Sequence, residues 1–256
     1  LMVDETGTPA FITIDEEGGI VSRLPDSLGK MPSAMALSAI GSEENLYEAA
    51  LLSGKQLAQL GINFNLAPVL DINSNPANPV IGIRSYGADA GTVCRYASEA
   101  IKGYMDAGIL CSGKHFPGHG DTAADSHLSL PFSEKSEDEL SELELIPFQR
   151  AVDMEIPAIT IAHVVYKKLD CVPATMSREI VSGLLREKVG FGGLIISDCM
   201  EMNAISSEYG IERGVIEAVA AGIELIFISH KHDKVRSAIE ALQREIAEGD
   251  ISMELI

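Results

Sequence analysis

The chain has 256 residues, of which 46% are hydrophobic, and a formal net charge of −19 at pH 7. This length and apolar content suffice to bury a large core, which excludes a disordered or fibrous chain. The acidic balance provides no basic stripe for a phosphate backbone, so we expect no nucleic-acid partner. No apolar run approaches the roughly twenty residues that span a bilayer, and we therefore expect no membrane span.

Short apolar runs alternate with longer stretches of helical pattern along the chain. This alternation is typical of parallel strands joined by crossover helices, and it predicts an α/β protein. In chain order, the predicted strands are Ala10–Ile14, Ile62–Pro68, Ile109–Gly113, Ala158–Ala162, Leu194–Ser197 and Leu225–Ile228. The predicted helices are Ser42–Leu60, Gly91–Ala107, Ser136–Asp153, Ser177–Lys188, Ile211–Ala221 and Asp233–Glu248.

Polar residues lie at or just beyond the carboxyl ends of five of the predicted strands. They are Asp15, Asp71, the pair Lys114 and His115, His163, and Asp198. In a β/α barrel the carboxyl ends of all strands meet at one mouth, whereas an open doubly wound sheet binds ligands only at a switch point. The pattern therefore favours a (β/α)8 TIM-type barrel formed by a single domain over residues 1–256. Six strands are recognised where a closed barrel needs eight, so either two strands are merged or the first β/α unit is missing. The abrupt start at Leu1 favours the missing unit.

The segment Lys114–His127 contains three of the chain's six histidines and directly follows a predicted strand. Asp125 lies two residues before His127, so on an extended segment both side chains point to the same side. The carboxylate can then hydrogen-bond the imidazole and favour its protonated form, which suits a residue that donates and later withdraws a proton. The alternative is a solvated loop histidine.

The sequence gives little support to a metal or cofactor. His115 and His119 are four apart, a spacing that suits zinc on a helix, but Pro117 and Gly118 lie between them and make a helix there unfavourable. Gly18 and Gly19 lack the remaining spacing of a dinucleotide-binding fingerprint. We therefore expect no cofactor and no metal. The four widely spaced cysteines show no metal-binding or disulfide pattern and are expected to be reduced.

Several motifs occur in a fixed order along nearly the whole chain. They are Ile14-Asp15-Glu16-Glu17-Gly18-Gly19 with Arg23, Asn65–Ile72, Arg84-Ser85-Tyr86-Gly87, Lys114–His127, Ala162–Tyr166, Pro173–Ser177 and Ser197–Met202. Together they resemble the family 3 glycoside hydrolases, specifically the β-N-acetylglucosaminidases that trim cell-wall fragments. Two positions depart from the pattern: Ile20 stands where relatives usually have Arg, and Cys199 replaces a common second Asp.

The resemblance implies a role for each matching position. Asp198 is expected to be the nucleophile, and His127 with its partner Asp125 the acid/base. The implied sugar-binding residues are Asp15, Arg23, Arg84, Lys114 and His115. For single residues, simpler interpretations stay open. Asp198 is also suited to capping a helix N-terminus. Arg23 and Arg84 are also suited to surface ion pairs. His163 either orients a neighbouring residue or lies in the core with its hydrogen bonds satisfied.

The resulting expectation is a retaining exo-β-N-acetylglucosaminidase that removes terminal β-linked GlcNAc from muropeptides or chitooligosaccharides through a covalent glycosyl-enzyme on Asp198. Two alternatives remain: a β-N-acetylglucosaminide phosphorylase with the same residues, and a truncated, inactive sugar-binding module. The expected partner is a small carbohydrate. The favoured compartment is the cytoplasm rather than the exterior, and the sequence leaves the oligomeric state and the natural aglycone open.

Overall fold

The computed structural model describes residue 7 and residues 9–122 and 130–252. Asp125 and His127 therefore lie outside the described residues. The strands are β1 (Thr13–Ile14), β2 (Phe64–Asn65), β3 (Leu110–Phe116), β4 (Phe132–Ser133), β5 (Ala158–Ile161), β6 (Val165–Tyr166), β7 (Leu194–Cys199) and β8 (Leu225–Phe227). Six of them lie within or overlap the predicted strands, whereas the short β4 and β6 were not predicted.

The six main strands form one parallel sheet in the order β1-β2-β3-β5-β7-β8. Phe64 on β2, Ala158 on β5 and Ile196 on β7 belong to one buried hydrophobic cluster. In a flat sheet, β2 and β7 would lie about 14 Å apart, because neighbouring strands are spaced by about 4.8 Å. Side chains from strands this far apart share one core where a sheet curls around its own interior, in agreement with the predicted barrel-type α/β fold. The strands β4 and β6 form a separate parallel pair.

Helices connect the strands and cover the outside of the sheet. They are α1 (Ala34–Ala39), α2 (Glu43–Gln59), α3 (Ala90–Asp106), α4 (Glu137–Glu142), α5 (Leu145–Asp153), a π-helix (Glu179–Lys188), α6 (Asn203–Ser206), α7 (Ile211–Ala221) and α8 (His232–Glu248). Side-chain N-caps stabilise the start of several helices. Ser42 and Asp89, for example, accept hydrogen bonds from backbone N–H groups in the first turns of α2 and α3. Within the described ranges, no helix combines the length and the apolarity that a membrane span requires.

The single helix predicted over Ser136–Asp153 is wrong, because the chain forms α4 and α5 with a break at Leu143. Pro147 explains the break. In one continuous helix its ring would clash with the carbonyl of residue 143, and it has no N–H to donate to that carbonyl. In the observed arrangement, Pro147 lies in the first turn of α5, where proline is tolerated.

Two strands extend further than predicted. The structure places Lys114 and His115 inside β3, and Asp198 inside β7, rather than in the loops that follow. The ladder continues because Lys114 pairs with Thr160 of β5 and Ile161 pairs with Ser197 of β7. These functional candidates are therefore held by main-chain hydrogen bonds of a sheet, which restricts their motion more than a loop would.

Candidate active site

A cavity of about 470 Å³ lies at the carboxyl end of the curled sheet. Five of the predicted site residues line it: Asp15, Arg23, Lys114, His115 and Asp198. Two adjoining cavities share Asp15, Arg23 and Asp198 with it, and one of these also includes Arg84, Glu17 and His119. Every predicted site residue within the described ranges thus lies in one cleft, to which residues far apart in sequence contribute.

Lys114 is the buried centre of the cleft's charge network. Its ammonium nitrogen lies 2.8 Å from Asp15 Oδ1 and 2.6 Å from Glu17 Oε1. Glu17 in turn accepts two hydrogen bonds from Arg84, at 2.8 Å from Nε and 2.9 Å from Nη2. Such a paired guanidinium–carboxylate contact fixes orientation as well as charge. The interpretation of Arg84 as a surface ion-pair residue is wrong, because this pair is buried.

Glu17 is the functional residue that the sequence interpretation missed. Burial by itself raises the pKa of a carboxyl group, but Lys114 and Arg84 outweigh burial and lower the pKa of Glu17 from 4.5 to about 2. Its position two residues after Asp15, close to the end of β1, was the available signal. An acidic residue there has access to the mouth of a barrel, but its two cationic partners lie far along the chain.

We expect Glu17→Gln to lower the free energy of unfolding by about 3 kcal/mol at pH 7, because it removes one partner from a buried ionic cluster. The carboxyl of Glu17 has a lower pKa in the folded protein than its ordinary value of 4.5. Its stabilisation is therefore fully present above pH 4.5 and is lost as the pH falls through about 2. Urea unfolding of both proteins at several pH values should show their difference shrinking towards acid.

Glu43→Gln is the matched control, since Glu43 pairs with Arg95 at the exposed surface. This variant is expected to lose less than about 1 kcal/mol. Equal losses for the two variants, or a difference that grows towards acid, would show that the Glu17 cluster does not stabilise the fold.

Asp71 is fully buried and positions the two histidines of the cleft wall. Its Oδ2 lies 2.7 Å from His115 Nδ1, and its Oδ1 accepts a hydrogen bond from the His119 backbone N–H at 2.6 Å. Burial raises the pKa of Asp71, but interactions with His115 and His119 lower it overall. The ionised Asp71 accepts a hydrogen bond from His115 Nδ1–H. His115 Nε2 lies 3.4 Å from Arg84 Nη2. Asp71 thus positions the His115 imidazole and the backbone N–H groups of His115 and His119.

His119 lies in the cleft wall behind this network, and its imidazole is uncharged at neutral pH. Burial and the neighbouring His115 lower the pKa of His119 from 6.5 to about 4. Its Nδ1 lies 2.7 Å from Thr122 Oγ1. The next turn packs tightly, because a Cβ at Gly120 would come within 1.7 Å of the Ile72 carbonyl oxygen. Only glycine permits this close approach, so the residues up to Thr122 are firmly attached to the cleft.

Asp198 is half-buried near the end of β7, at the floor of the cleft. Burial raises the pKa of its carboxyl group, but interactions with His163 and His115 and a hydrogen bond from the Cys199 backbone N–H lower it overall. That hydrogen bond reaches Asp198 Oδ1 at 2.7 Å. The group is therefore ionised at neutral pH, as a nucleophilic carboxylate must be.

Two simpler interpretations of the cleft residues are resolved by the structure. Asp198 does not cap a helix, because the next helix, α6, has Met202 at its N-cap and no side-chain cap. His163 is both buried and orienting: its ring nitrogens lie 2.7 Å from Thr175 Oγ1 and 3.0 Å from the Cys199 carbonyl oxygen. It thereby fixes the backbone that follows Asp198.

Arg23 differs from the other cations of the cleft because its side chain is exposed. Among the carboxylates in the described part of the chain, none lies within ion-pair distance of its guanidinium. Its backbone N–H, by contrast, is held at 2.9 Å by Glu16 Oε2. Arg23 thus offers a guanidinium to the cavity on a fixed stretch of backbone.

Comparisons with known proteins agree with this architecture. Residues 2–256 match the Glycosyl hydrolase family 3 N terminal domain. A solved glycoside hydrolase family 3 β-N-acetylglucosaminidase from Paenibacillus sp. str. FPU-7 is 46% identical, with a TM-score of 0.95 over 98% of this chain and 48% of that one. The Beta-hexosaminidase A of Pseudoalteromonas piscicida is 36% identical over 85% of this chain and 39% of its own length.

The Beta-hexosaminidase of Thiobacillus denitrificans is 34% identical over 86% of this chain and 63% of its own length. This chain thus spans less than two thirds of these relatives. The match to the family domain nevertheless covers nearly every residue, at high structural similarity. The chain therefore belongs to glycoside hydrolase family 3.

Proposed function

We propose that this protein is a retaining exo-β-N-acetylglucosaminidase that hydrolyses terminal β-linked GlcNAc from muropeptides or chitooligosaccharides, and that residues 1–256 act as one catalytic domain. The observation that carries the proposal is the ionised Asp198 at the floor of a cleft that also holds Lys114, Arg23 and Asp15. The names of the similar proteins, β-hexosaminidases and β-N-acetylglucosaminidases, support the same activity.

In the proposed mechanism, the Asp198 carboxylate attacks the anomeric carbon while the acid/base protonates the leaving oxygen. A covalent glycosyl-enzyme forms as the aglycone departs. The acid/base then takes a proton from water, which attacks the same carbon and restores the β configuration. Asp15, Arg23 and Lys114 bind sugar hydroxyl groups through charge-assisted hydrogen bonds.

We assign the acid/base role to His127 with Asp125 as its partner. Both residues lie outside the described ranges, and the assignment rests on the motif. Thr122 supports it, because this residue is held against His119 in the cleft wall. His127 is the fifth residue after Thr122, and a stretch of that length reaches at most about 18 Å. His127 is therefore within reach of the cleft that contains Asp198.

The direct test is turnover of a nitrophenyl β-N-acetylglucosaminide, with the matching β-glucoside as the control for the acetamido group. We expect release of nitrophenol from the first substrate, and NMR of the first-formed sugar should show the β anomer. A fluorinated glycoside should label Asp198. An α anomer, or a label on another side chain, would contradict the mechanism. GlcNAc-1-phosphate in phosphate buffer would indicate a phosphorylase, and binding without turnover would indicate a sugar-binding module.

A further inference from the structure

Three potential metal ligands meet beside the cleft: the Cys199 thiol, the Glu201 carboxylate and the His230 imidazole. One ligand atom from each lies within 4.8 Å of the other two. They meet because β7 and β8 are adjacent parallel strands, with Cys199 paired to Phe227. The loops that follow the two strands therefore leave the sheet side by side.

The cluster is already partly organised in the protein. Glu201 Oε2 accepts a hydrogen bond from the His230 backbone N–H at 2.6 Å and lies 3.2 Å from His230 Nδ1. The Cys199 backbone is held by His163 through the carbonyl oxygen. The Glu201 side chain is 11% exposed, whereas that of His230 is 77% exposed. An ion can therefore enter from solvent on the imidazole side.

Thiolate sulfur, imidazole nitrogen and carboxylate oxygen are the atoms that Zn²⁺ prefers in proteins. Around a tetrahedral zinc ion such atoms lie about 3.5 Å from one another. The ligand atoms lie within 4.8 Å of one another, which exceeds this spacing by only about 1 Å; a gap of that size is within the range of side-chain rotation about χ1 and χ2.

We propose that Cys199, Glu201 and His230 form a Zn²⁺ site. When the sulfur–zinc bond forms, the Cys199 thiol releases its proton to solvent. The three protein ligands leave one coordination position for water, the arrangement of a zinc site open to exchange. None of the three ligands belongs to the charge network of Lys114, although they border the same cleft.

Because of its location, a zinc ion bound at this site affects the hydrolysis reaction. A cavity of about 450 Å³ is lined by all three ligands together with Asp198, Arg23 and Asp15. A divalent cation there attracts the Asp198 carboxylate and occupies space that an incoming sugar needs. We therefore expect Zn²⁺ to inhibit the hydrolysis reversibly. This consequence rests on the proposed function, whereas the metal site does not.

Binding is tested with Co²⁺, which reports a sulfur ligand through a charge-transfer absorption band. Protein freed of metal by a chelator should bind one Co²⁺ per chain with this band, and Zn²⁺ should displace it. Cys199→Ser should abolish the band. His230→Gln should weaken binding by more than about tenfold, since even the loss of outer contacts of metal sites costs that much.

Matched controls are available in the same chain. Cys171 is an exposed free cysteine, and His232 is exposed at the start of α8, two residues from His230. Cys171→Ser and His232→Gln should leave Co²⁺ affinity and the band unchanged. Thermal melts of all variants check folding; His230→Gln changes an exposed side chain, so it remains a fair test if Cys199→Ser is unstable. A band that survives Cys199→Ser, or its absence in the unmodified protein, would overturn the site.

Inhibition is measured separately as the Zn²⁺ concentration that halves turnover, relative to each variant's own rate without zinc. His230→Gln should raise this concentration by more than about tenfold, following its weaker binding, and chelator should restore the rate. An unchanged concentration in His230→Gln, with Co²⁺ binding lost, would overturn the inhibition but keep the site. A protein without any turnover would contradict the proposed function and leave the spectroscopic result standing.

Discussion

Asp198→Ala is expected to lower kcat on a nitrophenyl β-N-acetylglucosaminide by about 10⁴-fold or more, a barrier increase of at least about 5 kcal/mol. The carboxylate forms the covalent bond to sugar, and the other described carboxylates of the cleft already have partners: Asp15 and Glu17 bind Lys114, Asp71 binds His115, and Glu201 binds His230. Steady-state kinetics of the purified variant measure the loss.

Added azide identifies the role of the missing group. In Asp198→Ala, azide enters the space of the lost carboxylate and attacks from the side opposite the leaving group, so the product should be the α-glycosyl azide. Asp153→Ala, which removes an exposed carboxylate at the end of α5, should keep kcat within about twofold. A retained rate in Asp198→Ala, or a β-glycosyl azide from it, would show that another residue is the nucleophile.

His127→Ala is expected to reduce kcat/KM for a chitooligosaccharide by about 10²- to 10⁴-fold, the usual contribution of a general acid. A dinitrophenyl glycoside should lose far less, because its leaving group departs without protonation. The comparison of kcat/KM values for the two substrates measures this selectivity. In this variant the covalent intermediate still forms, so azide should attack it from the opposite side and give the β-glycosyl azide.

His232→Ala is the control for loss of an imidazole, since this exposed residue lies at the start of α8. It should leave the kcat/KM values of both substrates unchanged. Equal losses on the two substrates in His127→Ala would assign the histidine to binding or folding rather than to proton transfer.

The prediction of the fold depended on local patterns, and it was confirmed where those patterns are strong. The parallel strand β5 is apolar except for Thr160, and the structure places it at Ala158–Ile161, inside the predicted Ala158–Ala162. The ends of elements were less predictable. The ladder partners that carry β3 through Lys114 and His115 lie on other strands, and no window of sequence around Lys114 contains them.

The candidate site, too, was predictable only in part from local sequence patterns. The positions of Asp15 and Asp198 at the ends of predicted strands identified them as candidate site residues, because the geometry of a barrel brings all strand ends together. Their partners were not visible in this way. Glu17 becomes a buried, ionised bridge only because Lys114 and Arg84, almost a hundred and nearly seventy residues away, converge on it.

Periodicity, turn residues and the ordered motifs sufficed for the fold class, the family and the position of the cleft, because each depends on residues close along the chain. Only the tertiary structure showed which charges are paired, that Asp71 orients His115, and that Cys199 lies close to Glu201 and His230. Those contacts depend on distances across the curled sheet and on the removal of water from charged groups, and both arise only when distant segments pack together.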